Sequence, residues 1–411
     1  MHAMPALSAT SRPVLTVALC CAVALLEGFD LQSTGITAPA LAKAFGLAPA
    51  ALGWVFSAGL MGLLPGAFLG GWLADRLGRK RTLLGAVLLF GLFTLYTAHA
   101  ASYPSLLLAR LLTGLGLGAA LPIIIAQASE AVSPRFRSTA VSFTYCGVPL
   151  GGALASLISL SGLGEQWRVV FYLGGLAPLL IAAALALWMP APVARPVTTR
   201  QSRGAVAVGL FSEGRARRTL LLWVACFFTL TVLYLLLNWL PSLLLAKGFD
   251  RVQAGWVQVL FNVGGAAGSL LTGRLMDRGR TVLAVAIAYL GMLLALAALG
   301  LAASFGAMAL AGLVAGYCCI GGQLVLYALA PQAYPASMRA TGVGACVAVG
   351  RLGSMAGPLA AGQILAAGAG VGGVLIAVSP GLVIAAIALL SMLGEGGGEP
   401  SSQKIVNNIN H

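Results

Sequence analysis

The chain has 411 residues, of which 59% are hydrophobic and 8% charged, with a formal net charge of +14. Soluble domains carry about 25% charged residues, so this composition, with a mean hydropathy of +0.96, excludes a water-soluble fold and describes an integral membrane protein. The positive charge is distributed between apolar runs and not gathered in one patch, which makes it a signal of membrane orientation and gives no reason to expect nucleic acid.

In chain order, apolar runs lie near 14–36, 52–73, 82–101, 104–126, 139–161 and 168–188, then 219–243, 254–275, 281–301, 305–331, 340–364 and 371–393. Each is close to the ~20 residues that a helix needs to cross ~30 Å of hydrocarbon, so twelve spans are predicted. The alternation of a membrane barrel is absent, and helices alone then satisfy the backbone in lipid, which makes the fold all-α. Arg12 before the first run resembles the start of a signal peptide, but acids at the end of the run and eleven further spans predict an uncleaved first helix. Pro190, Pro192, Pro196 and six arginines mark 189–218 as a linker between six-helix units at 1–188 and 219–394. The polar tail, 395–411, is expected to be disordered.

With the N-terminus inside, 18 of the 24 basic residues fall in cytoplasmic segments and four (Lys43, Arg168, Lys247, Arg251) in outer loops, which predicts that both termini are cytoplasmic. Arg110 and Arg351 are left inside spans. The seven cysteines lie in apolar runs without metal-site spacing and read as small buried side chains.

Sliding the chain by 202 residues pairs Pro39 with Pro241, Gly46 with Gly248, Gly53-Trp54-Val55 with Gly255-Trp256-Val257, Gly62 and Gly66 with Gly264 and Gly268, Asp75-Arg76 with Asp277-Arg278, and Arg137 with Arg339. The register holds without a gap, so the two halves are duplicates with the same orientation. Parallel six-helix repeats imply a rocking transporter with its site at the repeat interface.

Within this plan the ionisable residues inside spans are functional candidates. Glu27 and Asp30 share one helix face, about 4.5 Å apart along the axis, and Thr34 continues it. A lipid-facing carboxylate costs at least ~2.5 kcal/mol, so both should face the bundle interior, where one of two crowded acids can hold a proton. Glu27 lies roughly 15 Å and Arg110 roughly 9 Å below the outer surface, so the two can meet, either as a static pair or as a proton carrier with a switchable counter-charge. Arg351 lies about 18 Å into its span, with no carboxylate at that depth in its own half. A planar fork of donors there suits a substrate carboxylate, the alternative being backbone carbonyls or Glu27 across the interface. Tyr145, Tyr234 and Tyr327, with Phe228, Trp239, Asn238, Asn262 and Gln323, are candidates to line a cavity that stacks a ring and hydrogen-bonds a phenol.

GGWLADRLGRKRTLL, Gly70 to Leu84, resembles the loop signature of the major facilitator superfamily, and Arg110-Leu-Leu-Thr-Gly114-Leu-Gly116 resembles a second signature of that family. EGFD at 27–30 is similar to the first-helix acidic motif of its aromatic acid/proton symporters, with Glu27 in place of the usual aspartate. The resemblance, which runs from Leu19 to about Leu393, implies alternating access and uptake of an aromatic carboxylic acid, 3-(3-hydroxyphenyl)propionate before others, together with protons. It implies no cofactor, metal or catalysis, and a monomer in the inner membrane. Supported by it, Asp75-Arg76 and their copies Asp277-Arg278 are read as gating residues. Asp75 would hold a neighbouring helix end, and Arg79 or Arg81 would pair with Glu130, in contacts that exist in the outward-open state and break as the halves rock. An exporter on the same fold stays as the alternative, since the Gly147-Val-Pro149-Leu-Gly151-Gly152 run of the fifth span displaces the proline of the exporters' motif.

Overall fold

The computed structural model describes residues 11–162, 166–189, 211, 215–334 and 339–396; most of the expected linker and the tail beyond 396 lie outside them. Among the described residues the chain is helical, with twelve helices long and apolar enough to cross a membrane. These are α1 (Ser11–Ile36), α3 (Pro49–Leu77), α4 (Arg79–Ala98), α5 (Tyr103–Ala131), α6 (Arg137–Leu160) and α7 (Trp167–Trp188), then α8 (Ala216–Ala246), α9 (Arg251–Asp277), α10 (Thr281–Leu301), α11 (Phe305–Leu329), α12 (Arg339–Ala366) and α13 (Gly370–Gly396). A short helix, α2 (Ala38–Phe45), was not expected and follows α1. Several helices outrun their apolar stretches because their polar ends carry caps: Ser102 and Asp250 close capping boxes at the starts of α5 and α9.

The first bundle is held by packing of α3 on α5, α1 on α6, and α4 on α5 and α7; in the second, α9 packs on α11, α8 on α12, and α10 on α11 and α13. Each of these pairs maps onto its counterpart through the 202-residue repeat. The packing repeats in detail as well. A Cβ on Gly62 would run into Leu111 and one on Gly264 into Leu313; Gly66 and Gly268 lie likewise against Leu115 and Tyr317, and Gly114 and Gly316 against Gly59 and Phe261. Helices in lipid gain little from apolar contact with each other, so small residues that let backbones touch are what bring these pairs together. The bundles meet where α3 lies on α12 and α6 on α9, two contacts that also exchange under the repeat.

Below, the face bearing the start of α1 and the end of α13 is the terminal face, and the opposite one the distal face.

Candidate substrate and proton site

In the second half of α1, Glu27 and Asp30 are buried as their spacing predicts, at 2% and 0% exposure. Their surroundings differ. Asp30 is saturated: Arg110 donates from Nη1 to Oδ1 (3.2 Å) and from Nη2 to Oδ2 (2.9 Å), and Thr94 Oγ1 donates to Oδ1 (2.8 Å). This planar, two-toothed pairing is the strongest geometry open to a guanidinium and a carboxylate. Arg110 is therefore the partner of Asp30 and not the counter-charge of Glu27, which corrects the sequence expectation. The one-turn offset decides it, since Asp30 sits closer than Glu27 to the depth of Arg110. Thr94, on α4, gave no sign of this role in the sequence.

Glu27, by contrast, has an oxygen, Oε2, that is fully buried without a hydrogen-bond partner, and so does Thr34 through its hydroxyl. The basic group within electrostatic reach of Glu27 is Arg351, from the other bundle. Arg351 is 9% exposed and donates from Nη1 to the hydroxyl of Tyr234 (2.7 Å). Among the described residues no carboxylate lies within salt-bridge distance of it. Tyr234, Tyr327, Tyr145 and Glu27 are all within electrostatic reach of its charge. Gln323, one turn before Tyr327 on α11, donates from Nε2 to the Tyr327 hydroxyl (3.1 Å). Two bundles thus converge on one polar cluster: Glu27 and Tyr145 from the first, Tyr234, Gln323, Tyr327 and Arg351 from the second.

Asn238 is not part of it. Its amide donates back to the carbonyl of Tyr234 (2.8 Å), and its backbone abuts Gly35 so closely that no Cβ would fit there. One N–H is thereby committed to its own helix, and among the described residues no hydrogen bond joins the Asn238 side chain to the Arg351 cluster. Trp239 donates to the carbonyl of Pro358 (3.0 Å) and edges against Phe56, while Phe228 packs beside Phe227.

Asn262 belongs to a second polar group that the sequence concealed. Gln32, buried on α1, donates to Asn262 Oδ1 (2.7 Å) and accepts from Asn262 Nδ2 and Gln258 Nε2 (both 2.8 Å). These bonds cross between bundles toward the distal face, where Ser57 also donates to the carbonyl of Met355 (2.9 Å). Polar side chains four apart on α9 were the available signal; their partner Gln32 could not be inferred from either helix alone. The distal side of the seam is closed.

At the terminal face the expected gating residues are mostly free. Asp75 and Asp277 are exposed and have no side-chain partner among the described residues, and Arg81 and Arg278 are exposed too. Asp75 therefore holds no helix end in this conformation, in which the distal side is closed; the contact expected of it belongs to the outward-open state. Arg76 lies over the ring of Trp72, 4.0 Å from its centroid. Arg79 does pair with Glu130. Both belong to the first bundle, however, and the pair is formed while the distal side is closed, so it joins two helix ends within one rocking body and is not tied to the outward-open state.

Two six-helix repeats around a buried polar cluster, closed on one side, define a secondary transporter. The Major Facilitator Superfamily model matches residues 20–254 and 245–407, and the chain belongs to that family. It is 52% identical to the 3-(3-hydroxy-phenyl)propionate transporter of Escherichia coli (strain K12), over 94% of this chain and 95% of that one. It is 37% identical to the gallate transporter of Pseudomonas putida, with 88% of each chain covered, and 35% identical to the 4-hydroxybenzoate transporter PcaK of Pseudomonas putida, with 92% of each covered. Among solved structures it is similar in fold to a mutant of the nucleoside transporter NupG, with a TM-score of 0.79 at 16% identity, covering 92% of this chain and 99% of that one. Its relatives are transporters and not enzymes, and the protein is a multi-pass membrane transport protein.

Proposed function

We propose that this protein imports an aromatic carboxylic acid together with protons, 3-(3-hydroxyphenyl)propionate in particular, across a bacterial inner membrane. It does so as a monomer by alternating access, with both termini in the cytoplasm. The observation that carries the reading is Arg351, a buried guanidinium at the seam whose hydrogen bond goes to a neutral tyrosine. A guanidinium has five N–H donors in a fixed fork, so donors remain for a carboxylate that binds between the bundles. The relatives that carry aromatic acids support the substrate class.

Glu27 supplies the proton site. When substrate reaches Arg351, two anions share one guanidinium and one negative charge is left without compensation; a proton on Glu27 removes it. The Asp30–Arg110 pair, buried and bonded through two teeth, acts as the strut between α1 and α5 and keeps Glu27 in place. The membrane potential sets a lower bound of one proton per anion: a monovalent anion entering against ~100 mV costs about 2.3 kcal/mol, and one accompanying proton cancels that charge. With the distal side closed, the terminal side is the route by which substrate leaves for the cytoplasm.

The test is uptake of labelled 3-(3-hydroxyphenyl)propionate by cells and by the reconstituted protein. Glu27→Gln is expected to lose uphill accumulation while keeping counterflow exchange, because exchange needs only the loaded carrier to reorient. Normal accumulation by this variant, or uphill uptake undiminished by an uncoupler, defeats the coupling assignment. Efflux of loaded dye without uptake of the acid would favour the exporter instead.

A further inference from the structure

The carboxylate end of the substrate accounts for Arg351 and Tyr234 but leaves Gln323 and Tyr327 without a task. Their arrangement is directional. Gln323 spends an N–H on the Tyr327 oxygen at 3.1 Å. The phenol's own proton is then free to point away from Gln323, and the Gln323 carbonyl oxygen is left with no partner among the described residues. Side by side, one turn apart on α11, stand one free donor and one free acceptor. Gln323 is 6% exposed and Tyr327 half-buried, and the Gln323 carbonyl oxygen is not among the sealed, unpartnered atoms.

An ether or a carbonyl can only accept, and a bare aromatic edge does neither. A hydroxyl both donates and accepts, which is what this pair offers to meet. Tyr327 is within electrostatic reach of Arg351 yet not bonded to it, since that arginine reaches Tyr234 on a different helix. The pair therefore stands beside the carboxylate position, on a helix of its own, with its hydrogen-bonding groups not spent on Arg351.

We propose that Gln323 and Tyr327 read the ring hydroxyl of the substrate, with the hydroxyl donating to Gln323 Oε1 and accepting from the Tyr327 phenol, and so select hydroxylated over plain phenyl carboxylates. The assignment rests on the transport reading above and adds to it the group that sets specificity. Its physical basis is asymmetric: a site built to hydrogen-bond a hydroxyl rejects the analogue that lacks it, because the site's own polar groups are then left dry.

The experiment is a competition panel on the full-length protein, with labelled 3-(3-hydroxyphenyl)propionate displaced by the same unlabelled acid or by 3-phenylpropionate. Wild type is expected to prefer the hydroxylated acid by about tenfold or more. In Tyr327→Phe and in Gln323→Leu the preference should shrink toward one, with 3-phenylpropionate binding within about twofold of wild type. Arg351→Lys should weaken both acids together and leave their ratio in place, which separates the two ends of the site. A wild type that binds both acids equally, variants that keep the full preference, or variants that lose both acids in parallel each overturn the hydroxyl assignment and leave the transport reading standing. A wild type that takes neither acid overturns the transport reading and this one with it. Should either variant fail to reach the membrane, the wild-type ratio and the other variant still decide.

Discussion

Gln32→Ala should open the distal side of the transporter. Gln32 is the hub of three buried side-chain hydrogen bonds across the seam, one given to Asn262 Oδ1 at 2.7 Å and two received, from Asn262 Nδ2 and Gln258 Nε2, at 2.8 Å. In the variant, Asn262 Nδ2 keeps its bond to the carbonyl of Gln258 at 2.9 Å. Gln258 Nε2 and Asn262 Oδ1 are left without a partner. Each orphaned buried group costs ~1–3 kcal/mol; the lower figure applies because the vacated space can admit a water, giving about 2 kcal/mol in all. When the bundles part on this side, water solvates the same groups, so the cost falls on the closed state alone. At ~1.4 kcal/mol per factor of ten, the closed-to-open ratio drops about 30-fold. Ala254, 2% exposed and one turn before Gln258 on α9, is the reporter. An Ala254→Cys protein with its other cysteines replaced should react about 30-fold faster with a membrane-impermeant maleimide when Gln32 is alanine. Equal rates with and without the hub would refute the reasoning, because the amide network would then carry no part of distal closure.

Other outcomes follow from the same geometry. Arg351→Lys keeps the charge but loses the fork and the geometry of its bond to Tyr234, so affinity for the acid should fall about 10-fold or more while thermal unfolding is little changed; equilibrium binding checks it, and unchanged affinity removes Arg351 from the substrate. Asp30→Asn breaks a buried two-toothed pair and strands Arg110, at a cost of ~3–5 kcal/mol, so its melting temperature in detergent should fall well below that of Glu27→Gln; equal melting would mean that Asp30 is no strut. Asp75→Asn removes an exposed group without a partner in this conformation, so it should leave stability within about 0.5 kcal/mol and, if the residue gates, change only the rate of conformational exchange seen in transport transients.

Some of the site was legible in the sequence for a plain reason: charge in lipid is so expensive that Glu27, Asp30, Arg110 and Arg351 had to turn inward wherever the helices were placed. Depth along each helix followed from 1.5 Å per residue. What depth could not supply was rotation and partner. Glu27 and Asp30 differ by one turn, and that offset gives Arg110 to Asp30 and leaves Glu27 facing the second bundle. Asn238 and Gln323 are both carboxamides in spans of the second bundle, yet the first bonds a backbone carbonyl of its own helix and the second the side chain of Tyr327. Thr94 and Gln32, an ordinary threonine and an ordinary glutamine in apolar runs, acquire their roles from residues 64 and 230 positions away.

The sequence by itself determined the class and the plan. Run length set the number of spans and backbone satisfaction made them helices, while the 202-residue register related the halves, because each is a local or periodic property of the chain. The pairing of charges, the closed distal seam and the free terminal-face acids were decided only in three dimensions. Small-residue contacts such as Gly114 on Gly59 fix how far each helix turns and slides against its neighbours. That rotation, a sum over many packing contacts spread along the whole chain, selects which buried polar atoms meet.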